Sequence, residues 1–256
     1  MPARPVVLGA QPIGGPRPGL AWRSTLVTNQ EFCRFLNDMS RAGLPNVLHR
    51  TTLFANEAML HERGGRIAFF PGSGRYLARV GYEYHPAYWV SWIGAAAFAR
   101  YIGCRLPLRA EIDTMTMDLP IDLETINAAY RVGDTLPVAD PDIADHEIGH
   151  RVGNVQVWCI DGPTRPPVGD ASMTRYLYGA AWNTPATWDD IRAVRARHLV
   201  GCSRGVGVRL VCDATTPAAL RTAAIASRLH AALSALTDRS AALHDLDAVI
   251  VEALTR

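Results

Sequence analysis

The sequence contains no lysine, so all 26 of its basic residues are arginine. We attribute this mainly to genome composition, and less to a demand for planar, permanently charged cations. No stretch reaches the roughly 18 apolar residues of a membrane span, and the N-terminus lacks the apolar core of a signal peptide. The net charge is only +2 and the arginines are scattered, which indicates no nucleic-acid groove and no anionic membrane surface. We therefore expect a cytoplasmic protein that binds neither.

Cysteine is also scarce. The five cysteines are Cys33, Cys104, Cys159, Cys202 and Cys212, an odd and scattered set without a CxxC pair. Such a set predicts no disulfide framework, and most of the five are expected to be small buried hydrophobic residues. A chain of 256 residues, 48% of them hydrophobic, can build a substantial core without covalent crosslinks.

One central segment carries the clearest local pattern. Tyr88–Trp92 is a short aromatic and β-branched run that predicts a strand. Ser91 can cap a following helix over Ile93–Ile102, which Gly103 ends. That helix is almost uncharged, so we expect it to lie in the core. After a Leu-Pro turn, a second short helix is predicted around Ala110–Thr114.

Four further motifs flank this segment. The first is Leu26–Phe32, within which Thr28 to Glu31 reads as a capping box that opens a helix to about Met39. The other three motifs are Gly153–Trp158 (GNVQVW), Tyr178–Asn183 (YGAAWN) and Gly207–Val211 (GVRLV).

In this order, the five motifs closely resemble the signature of the formylglycine-generating enzyme family, also called the sulfatase-modifying factor family. The resemblance implies an α+β domain with a C-type-lectin-like fold over residues 26–213, preceded by an irregular lead-in over residues 1–25. Residues 214–256 lie outside the family core. Their apolar residues recur at helical spacing, with Ser240 as a second cap, and predict a C-terminal helical hairpin. Its apolar stripe either packs on its own domain, or residues 217–256 mediate binding of a protein partner or self-association.

The chemistry of the formylglycine-generating members is not expected here. In those members, a cysteine pair upstream of the last motif binds copper, because soft Cu(I) prefers sulfur ligands. The corresponding stretch, residues 187–197, contains no cysteine, and Cys202 is single. We therefore exclude a formylglycine-generating oxidase, assign no cofactor, and leave open whether the chain is another kind of enzyme.

The segment Ala193–Gly205 is the candidate ligand-binding loop, because the corresponding loop of the family lines a surface pocket. Its candidate ligand-binding residues are Arg195, Arg197, His198, Cys202, Ser203 and Arg204. Three arginines and a histidine favour a small anionic or carboxylate-bearing ligand. The alternative is a solvated, charged loop.

A second candidate site is the HExxH motif formed by His146, Glu147 and His150. On a helix, histidines four residues apart share a face and can bind Zn²⁺ while the glutamate activates water. Nearby glycine and proline weaken a helix here. Family members also hold Ca²⁺ near the GNVQVW turn, but Val157 replaces their glutamate. Asn154 is therefore expected to satisfy backbone groups in a turn.

Three functions follow from these observations. The first is a catalytically silent domain that binds a ligand or protein partner through its lectin-like pocket. The second is a metal-dependent oxidative enzyme of a biosynthetic pathway, using non-haem iron or copper, because relatives of the domain occur in sulfoxide synthases and in pyoverdine maturation. The third is a diversified receptor-binding protein, similar to the variable proteins of diversity-generating retroelements. We favour the first, because fold alone does not determine function.

Overall fold

The computed structural model of the protein describes residues 13–14, 21–48, 51–55, 65–117, 121–138, 150–164, 174–212 and 222–237. The helices are α1 (Asn29–Arg41), α2 (Trp92–Tyr101), α3 (Arg109–Met117), α4 (Trp188–Ile191) and α5 (Thr222–Thr237). The strands are β1 (Ile13–Gly14), β2 (Ala21–Trp22), β3 (Val47–Leu48), β4 (Thr51–Thr52), β5 (Ile67–Phe70), β6 (Arg75–Ala78), β7 (Gln156–Trp158), β8 (Thr174–Tyr178), β9 (Val194–His198) and β10 (Val206–Gly207).

The largest sheet has four strands in the order β10-β7-β8-β9. β7, β8 and β9 are antiparallel neighbours, while β10 runs parallel to β7. All five residues of β9 pair with β8, so β9 forms one edge of this sheet. The remaining strands form the ribbons β1–β2, β3–β4 and β5–β6, which have two strands each.

Two buried tryptophans join the helical layer to this sheet. The indole N–H of Trp92, the first residue of α2, donates to the carbonyl of Cys159 at 2.9 Å. The indole N–H of Trp158, in β7, donates to the carbonyl of Val90 at 2.9 Å. Both side chains are fully buried. The two hydrogen bonds give each buried indole N–H a partner, and the rings contribute apolar surface to the core.

The predicted helices α1, α2 and α3 are confirmed. The hydroxyl of Thr28 accepts a bond from the backbone N–H of Glu31, and the Glu31 carboxylate accepts one from the backbone N–H of Thr28. This reciprocal capping box starts α1 as expected. Ser91 caps α2 in the same manner, through the N–H of Gly94. α2 is buried on nearly every side, in agreement with its lack of charge.

The strand predicted at Tyr88–Trp92 is wrong. Trp92 belongs to α2, and Trp89 has a left-handed backbone with φ 62°. A left-handed residue interrupts a strand because it turns the chain out of the extended conformation. Isolated bridges, from Pro86 to Thr28 and from Val90 to Ala55, hold the segment together with the bond from the Trp158 indole to the Val90 carbonyl.

The first helix of the predicted hairpin is α5, which packs against α1 and α2. Its residues Ile225, Ala226 and Leu229 are buried within the main core. The described part of α5 therefore uses its apolar face inside the domain. The second predicted helix, within residues 238–256, lies outside the described residues, as does the lead-in apart from residues 13–14 and 21–25.

The expectation about cysteines needs a correction, because Cys104 and Cys212 form a disulfide. The two residues lie 108 positions apart, and the adjacent residues bring them together. The N–H of Arg105 donates to the carbonyl of Val211, and the N–H of Val211 donates to the carbonyl of Arg105, each at 2.9 Å. Such long-range pairing leaves no trace in local cysteine spacing. Disulfides persist mainly in oxidising compartments, so a cytoplasmic location stays a prediction.

Among the described helices, none combines the length and the apolar character that crossing a bilayer requires.

We expect the double substitution Cys104→Ser with Cys212→Ser to lower the free energy of unfolding by about 2–4 kcal/mol, because the crosslink restricts a long loop of the unfolded chain. Urea denaturation of the oxidised wild type and the double variant measures the difference. Cys202→Ser, at a half-buried free thiol, is the matched control and should leave stability nearly unchanged. Alkylation of five thiols in the unfolded, unreduced wild type would contradict the disulfide.

Candidate functional site

Strained backbone is concentrated in one region of the molecule. Among the described residues, the non-glycine positions with positive φ are Trp89, Ala129, Tyr130, His150 and Asn154. These residues come from three separate parts of the chain. The hydrogen bonds described below join the segments that hold them. Because strain of about 1–3 kcal/mol per residue persists only where surrounding structure enforces it, such clustering favours a functional site.

The amide of Asn154 is the centre of this region. It is fully buried, and its Oδ1 accepts bonds from the Nδ2 of Asn127 at 3.1 Å and the N–H of Leu136 at 2.8 Å. Its Nδ2 donates to the carbonyl of Leu136 at 3.0 Å. Its own carbonyl accepts from the N–H of Trp182 at 3.0 Å. The expectation that Asn154 satisfies backbone groups in a turn is therefore confirmed.

Trp182 lies between two other side chains. The Tyr130 ring meets it edge-on, with centroids 5.4 Å apart, and the N–H of Tyr130 donates to the Trp182 carbonyl at 2.6 Å. The Arg204 guanidinium lies over the indole, 4.6 Å from its centroid. We call Tyr130, Trp182 and Arg204 the Trp182 stack. Gly205 allows this approach, because a Cβ there would lie 2.4 Å from the Asn183 side-chain oxygen.

The side chain of Tyr88 interacts with two arginines. Tyr88 is buried, and burial raises the pKa of its phenol. The positive charges of Arg66 and Arg204 act in the opposite direction, and Arg66 also hydrogen-bonds the Tyr88 side chain. Burial is the larger effect on this pKa, so the phenol stays protonated near neutral pH. Tyr88 thus offers a neutral hydroxyl that is bonded to Arg66 and influenced by the charge of Arg204.

Arg66 is itself held in place on several sides. It forms a largely buried ion pair with Asp134, and its guanidinium carbon lies 4.0 Å from the centroid of the Tyr82 ring. The Tyr82 ring also packs against His85, whose Nδ1 is 2.9 Å from the hydroxyl of Thr135. Burial lowers the pKa of His85, and the charge of Arg66 lowers it further. We call Arg66, Tyr82, His85, Tyr88 and Thr135 the Tyr88 cluster.

The Tyr88 cluster and the Trp182 stack together form the candidate site. Guanidinium groups and a phenol are hydrogen-bond donors, and aromatic rings provide flat apolar surface, so the arrangement suits an anionic ligand with an apolar part. Of its members, only Arg204 was among the predicted ligand-binding residues. Arg66 and Tyr82 come from segments without a recognisable motif. Tyr130 could have been found only through its strained backbone.

The predicted loop over residues 193–205 is partly a strand. Val194–His198 forms β9, because each of its residues pairs with β8. Arg195 forms an ion pair with Asp190 at 3.0 Å, and Arg197 stands opposite Arg175 in the register. Burial lowers the pKa of His198, at the end of the strand. These three predicted residues therefore lie on the sheet edge, and none of them belongs to the Tyr88 cluster.

Cys202 and Ser203 lie in the turn between β9 and β10. The Cys202 sulfur is 3.8 Å from the carbonyl of Val200, a weak contact. The backbone carbonyl of Ser203 accepts a bond from the N–H of Val206 at 3.1 Å, which closes the turn that precedes β10. Ser203 therefore shapes the backbone next to Arg204.

Of the HExxH residues, the structure describes only His150. Its backbone is left-handed, with φ 50°, and its Nε2 lies 3.1 Å from the carbonyl of Pro137. Its carbonyl accepts a bond from the buried Arg209 guanidinium at 2.8 Å. His146 and Glu147 lie outside the described residues. Within the described ranges, no group of three or more His, Cys, Asp and Glu side chains is arranged to hold a metal ion.

The two buried free cysteines, Cys33 and Cys159, are not activated. Burial raises the pKa of Cys33 to about 12 and raises that of Cys159 well above the ordinary thiol value. Both thiols therefore stay protonated at neutral pH, and a protonated thiol is neither a good nucleophile nor a good metal ligand.

No protein-family model matches the chain. Among curated proteins, the chain is similar to the serine/threonine-protein kinase Pkn1 of Chlamydia trachomatis serovar L2, with 28% identity over 196 residues. It is also similar to Pkn1 of Chlamydia caviae, with 24% identity over 210 residues. These matches cover 67% and 70% of this chain but only 29% and 32% of the relatives. The chain thus spans about a third of the length of the curated relatives that it matches.

Three solved structures share the fold. CarF superposes with a TM-score of 0.52 and 16% identity, covering 76% of this chain and 86% of CarF. Treponema denticola variable protein 1 superposes with a TM-score of 0.52 and 15% identity, covering 80% of this chain and 92% of that protein. PvdO from Pseudomonas aeruginosa superposes with a TM-score of 0.52 and 16% identity, covering 82% of this chain and 88% of PvdO. The predicted C-type-lectin-like α+β fold is confirmed by these likenesses, which at such identities concern the fold alone.

We expect Asn154→Ala to lower the free energy of unfolding by about 3 kcal/mol, because several buried groups lose their partners. Asn154→Gly is the informative control, since glycine adopts positive φ without strain but also lacks the amide. Both variants should be destabilised in urea denaturation. An Asn154→Gly variant as stable as the wild type would show that the amide bonds contribute little.

The lowered pKa of His85 predicts a pH dependence of stability. Because the folded protein disfavours the protonated ring, stability is fully present above the ordinary histidine pKa of 6.5 and falls as the pH drops below it. His85→Gln should therefore lose less stability than the wild type between about pH 7.5 and pH 5. Urea denaturation across this range tests it. The pKa of His198 is lowered as well, so His198→Gln measures how much of the pH dependence of stability comes from that residue.

Proposed function

We propose that the chain is a divergent, catalytically silent member of the formylglycine-generating enzyme family that recognises a small anionic ligand. The observation that carries this proposal is the action of two guanidinium groups, those of Arg66 and Arg204, on the buried phenol of Tyr88. Arg66 is largely buried, where weak screening by water strengthens its attraction for an anion, while the exposed Arg204 is open to a ligand from solvent. The concentration of strained backbone around Asn154 supports the same location.

The state of the cysteines supports a binding role over oxidation. Two of the five are joined in the disulfide, and two are buried thiols with raised pKa values. Cys202 alone remains as a half-buried thiol, and a two-thiolate copper site needs a second sulfur ligand. The metal alternative at His146, Glu147 and His150 gains no support from His150, which lies in a turn with left-handed backbone.

Phosphoryl transfer is not part of the proposal, although Pkn1 is named a kinase. Protein kinases use a lysine to hold the nucleotide phosphates, and the present sequence contains none. The chain also corresponds to only about a third of those proteins. We place its function in recognition of a ligand.

Binding of a partner through residues 217–256 is a separate part of the proposal. The described residues Ile225, Ala226 and Leu229 of α5 pack into the domain core. A partner or second copy would therefore need a surface other than this buried face of α5.

We also propose a cytoplasmic location. Whether the disulfide forms in cells tests this proposal.

The ligand proposal is tested with inorganic phosphate and citrate as probes, using calorimetry at constant ionic strength. We expect saturable binding that Arg204→Gln weakens about 10-fold or more, because a charge-assisted hydrogen bond is lost. Tyr88→Phe should weaken it by a smaller factor, since it removes one neutral donor. Arg75→Gln, at an exposed arginine of β6, is the matched control. Equal affinities of Arg204→Gln and Arg75→Gln, or no binding of either probe, would reject the proposal.

A further inference from the structure

Within the described part of the chain, the outer edge of β9 carries backbone groups without a neighbouring strand. β9 pairs with β8 through all five of its residues, and the described part of the chain places no strand on its other side. Residues 196–198 of β9 are exposed. In an antiparallel strand, every second residue directs its N–H and C=O groups away from its partner. An extended peptide can therefore add to this edge as a further strand.

The charges on this edge are unevenly balanced. Arg197 stands directly opposite Arg175 in the β8–β9 register, and like charges in that position destabilise a sheet. Arg197 forms no ion pair with any residue that the structure describes. Arg195 is paired with Asp190. A carboxylate added beside β9 would meet the exposed guanidinium of Arg197 and lessen its repulsion by Arg175.

An exposed aromatic residue lies in α4, the short helix that is ion-paired to β9. Trp188, in α4, is 51% exposed, although tryptophan is usually well buried. Its ring lies 5.9 Å from the guanidinium carbon of Arg192, and the same short helix supplies Asp190 to Arg195. Tryptophan and arginine are the residues most enriched at the energetic centres of protein interfaces.

We infer that the edge of β9, with Trp188, Arg192, Arg195 and Arg197, binds an extended acidic peptide segment of a partner protein by strand addition. Backbone hydrogen bonds supply part of the affinity, glutamates or aspartates at alternate positions meet the arginines, and Trp188 covers an apolar side chain. The site is distinct from the Tyr88 cluster, so it extends the proposed function and does not depend on it.

Arginines on an edge strand could instead serve only to prevent self-association, because charges are a common device against unwanted strand pairing. That role accounts for Arg195 and Arg197. It does not account for Trp188, since an exposed tryptophan beside an edge promotes association. The combination of cations, free backbone groups and an aromatic anchor favours recognition.

The inference is tested with fluorescein-labelled peptides of about eight residues, the length of an ordinary strand. The first alternates valine and glutamate, the second replaces glutamate with lysine, and the third and fourth are the acidic peptide with alternate backbone nitrogens methylated along one edge or along the other. Fluorescence anisotropy should show binding of the acidic peptide and none of the lysine peptide. Methylation on the pairing edge should weaken binding about 10-fold, because it removes several backbone donors.

Variants of the protein complete the test. Trp188→Ala should weaken binding of the acidic peptide about 10-fold, and Arg197→Glu several-fold, in keeping with interface anchors and exposed ion pairs. Arg75→Glu reverses an exposed arginine on another strand and should have little effect. The inference fails if Arg197→Glu and Arg75→Glu behave alike. It also fails if both edge-methylated forms bind as well as the parent peptide, since charge attraction alone would then explain binding.

Discussion

The candidate site depends on one buried amide in a strained conformation, that of Asn154. Its side chain holds the segment around Leu136, and its carbonyl holds Trp182, so two loops without regular structure take fixed positions. Hydrogen bonds of a buried amide add little net free energy to folding, but a buried amide left without partners lowers stability markedly. Asparagine also tolerates the left-handed backbone better than most residues. The geometry of Arg66 and Arg204 around Tyr88 follows from this connection, because Asp134 and Trp182 position those two arginines.

Unpaired buried groups and strained backbone occur together in the candidate site. In the core, the indole nitrogens of Trp92 and Trp158 have backbone partners, whereas that of Trp22 has none among the described residues. In the candidate site, the indole nitrogen of Trp182 and the side-chain oxygen of Asn183 are likewise buried without a described hydrogen-bond partner. The strained backbone at Tyr130 and Asn154 is what distinguishes the site from the core. Strain reduces stability, so its persistence here supports a binding role.

The sequence was most informative where local interactions decide the structure. The capping box of Thr28 and Glu31 and the Ser91 cap are local patterns, and α1 and α2 begin where those patterns predict. Features that depend on distant partners were missed or misread. β9 was taken for a loop, because its pairing with β8 is a tertiary property. Tyr88–Trp92 has strand composition, yet its backbone is left-handed at Trp89, and Val90 bridges to the distant Ala55. The disulfide joins residues that only the folded chain brings together.

The absence of lysine has a structural consequence whatever its origin in composition. Arg105 binds both carboxylate oxygens of Glu111, each at 2.8 Å, which requires a planar fork of donors. Arg66 and Arg204 lie over aromatic rings while their edges remain able to donate. A lysine ammonium has neither geometry, because it is a compact, strongly hydrated point charge. The arginines at these positions therefore make contacts that lysine could not make, even if genome composition explains why lysine is absent. Composition and function are compatible explanations here, and the geometry of each side chain decides which positions depend on arginine.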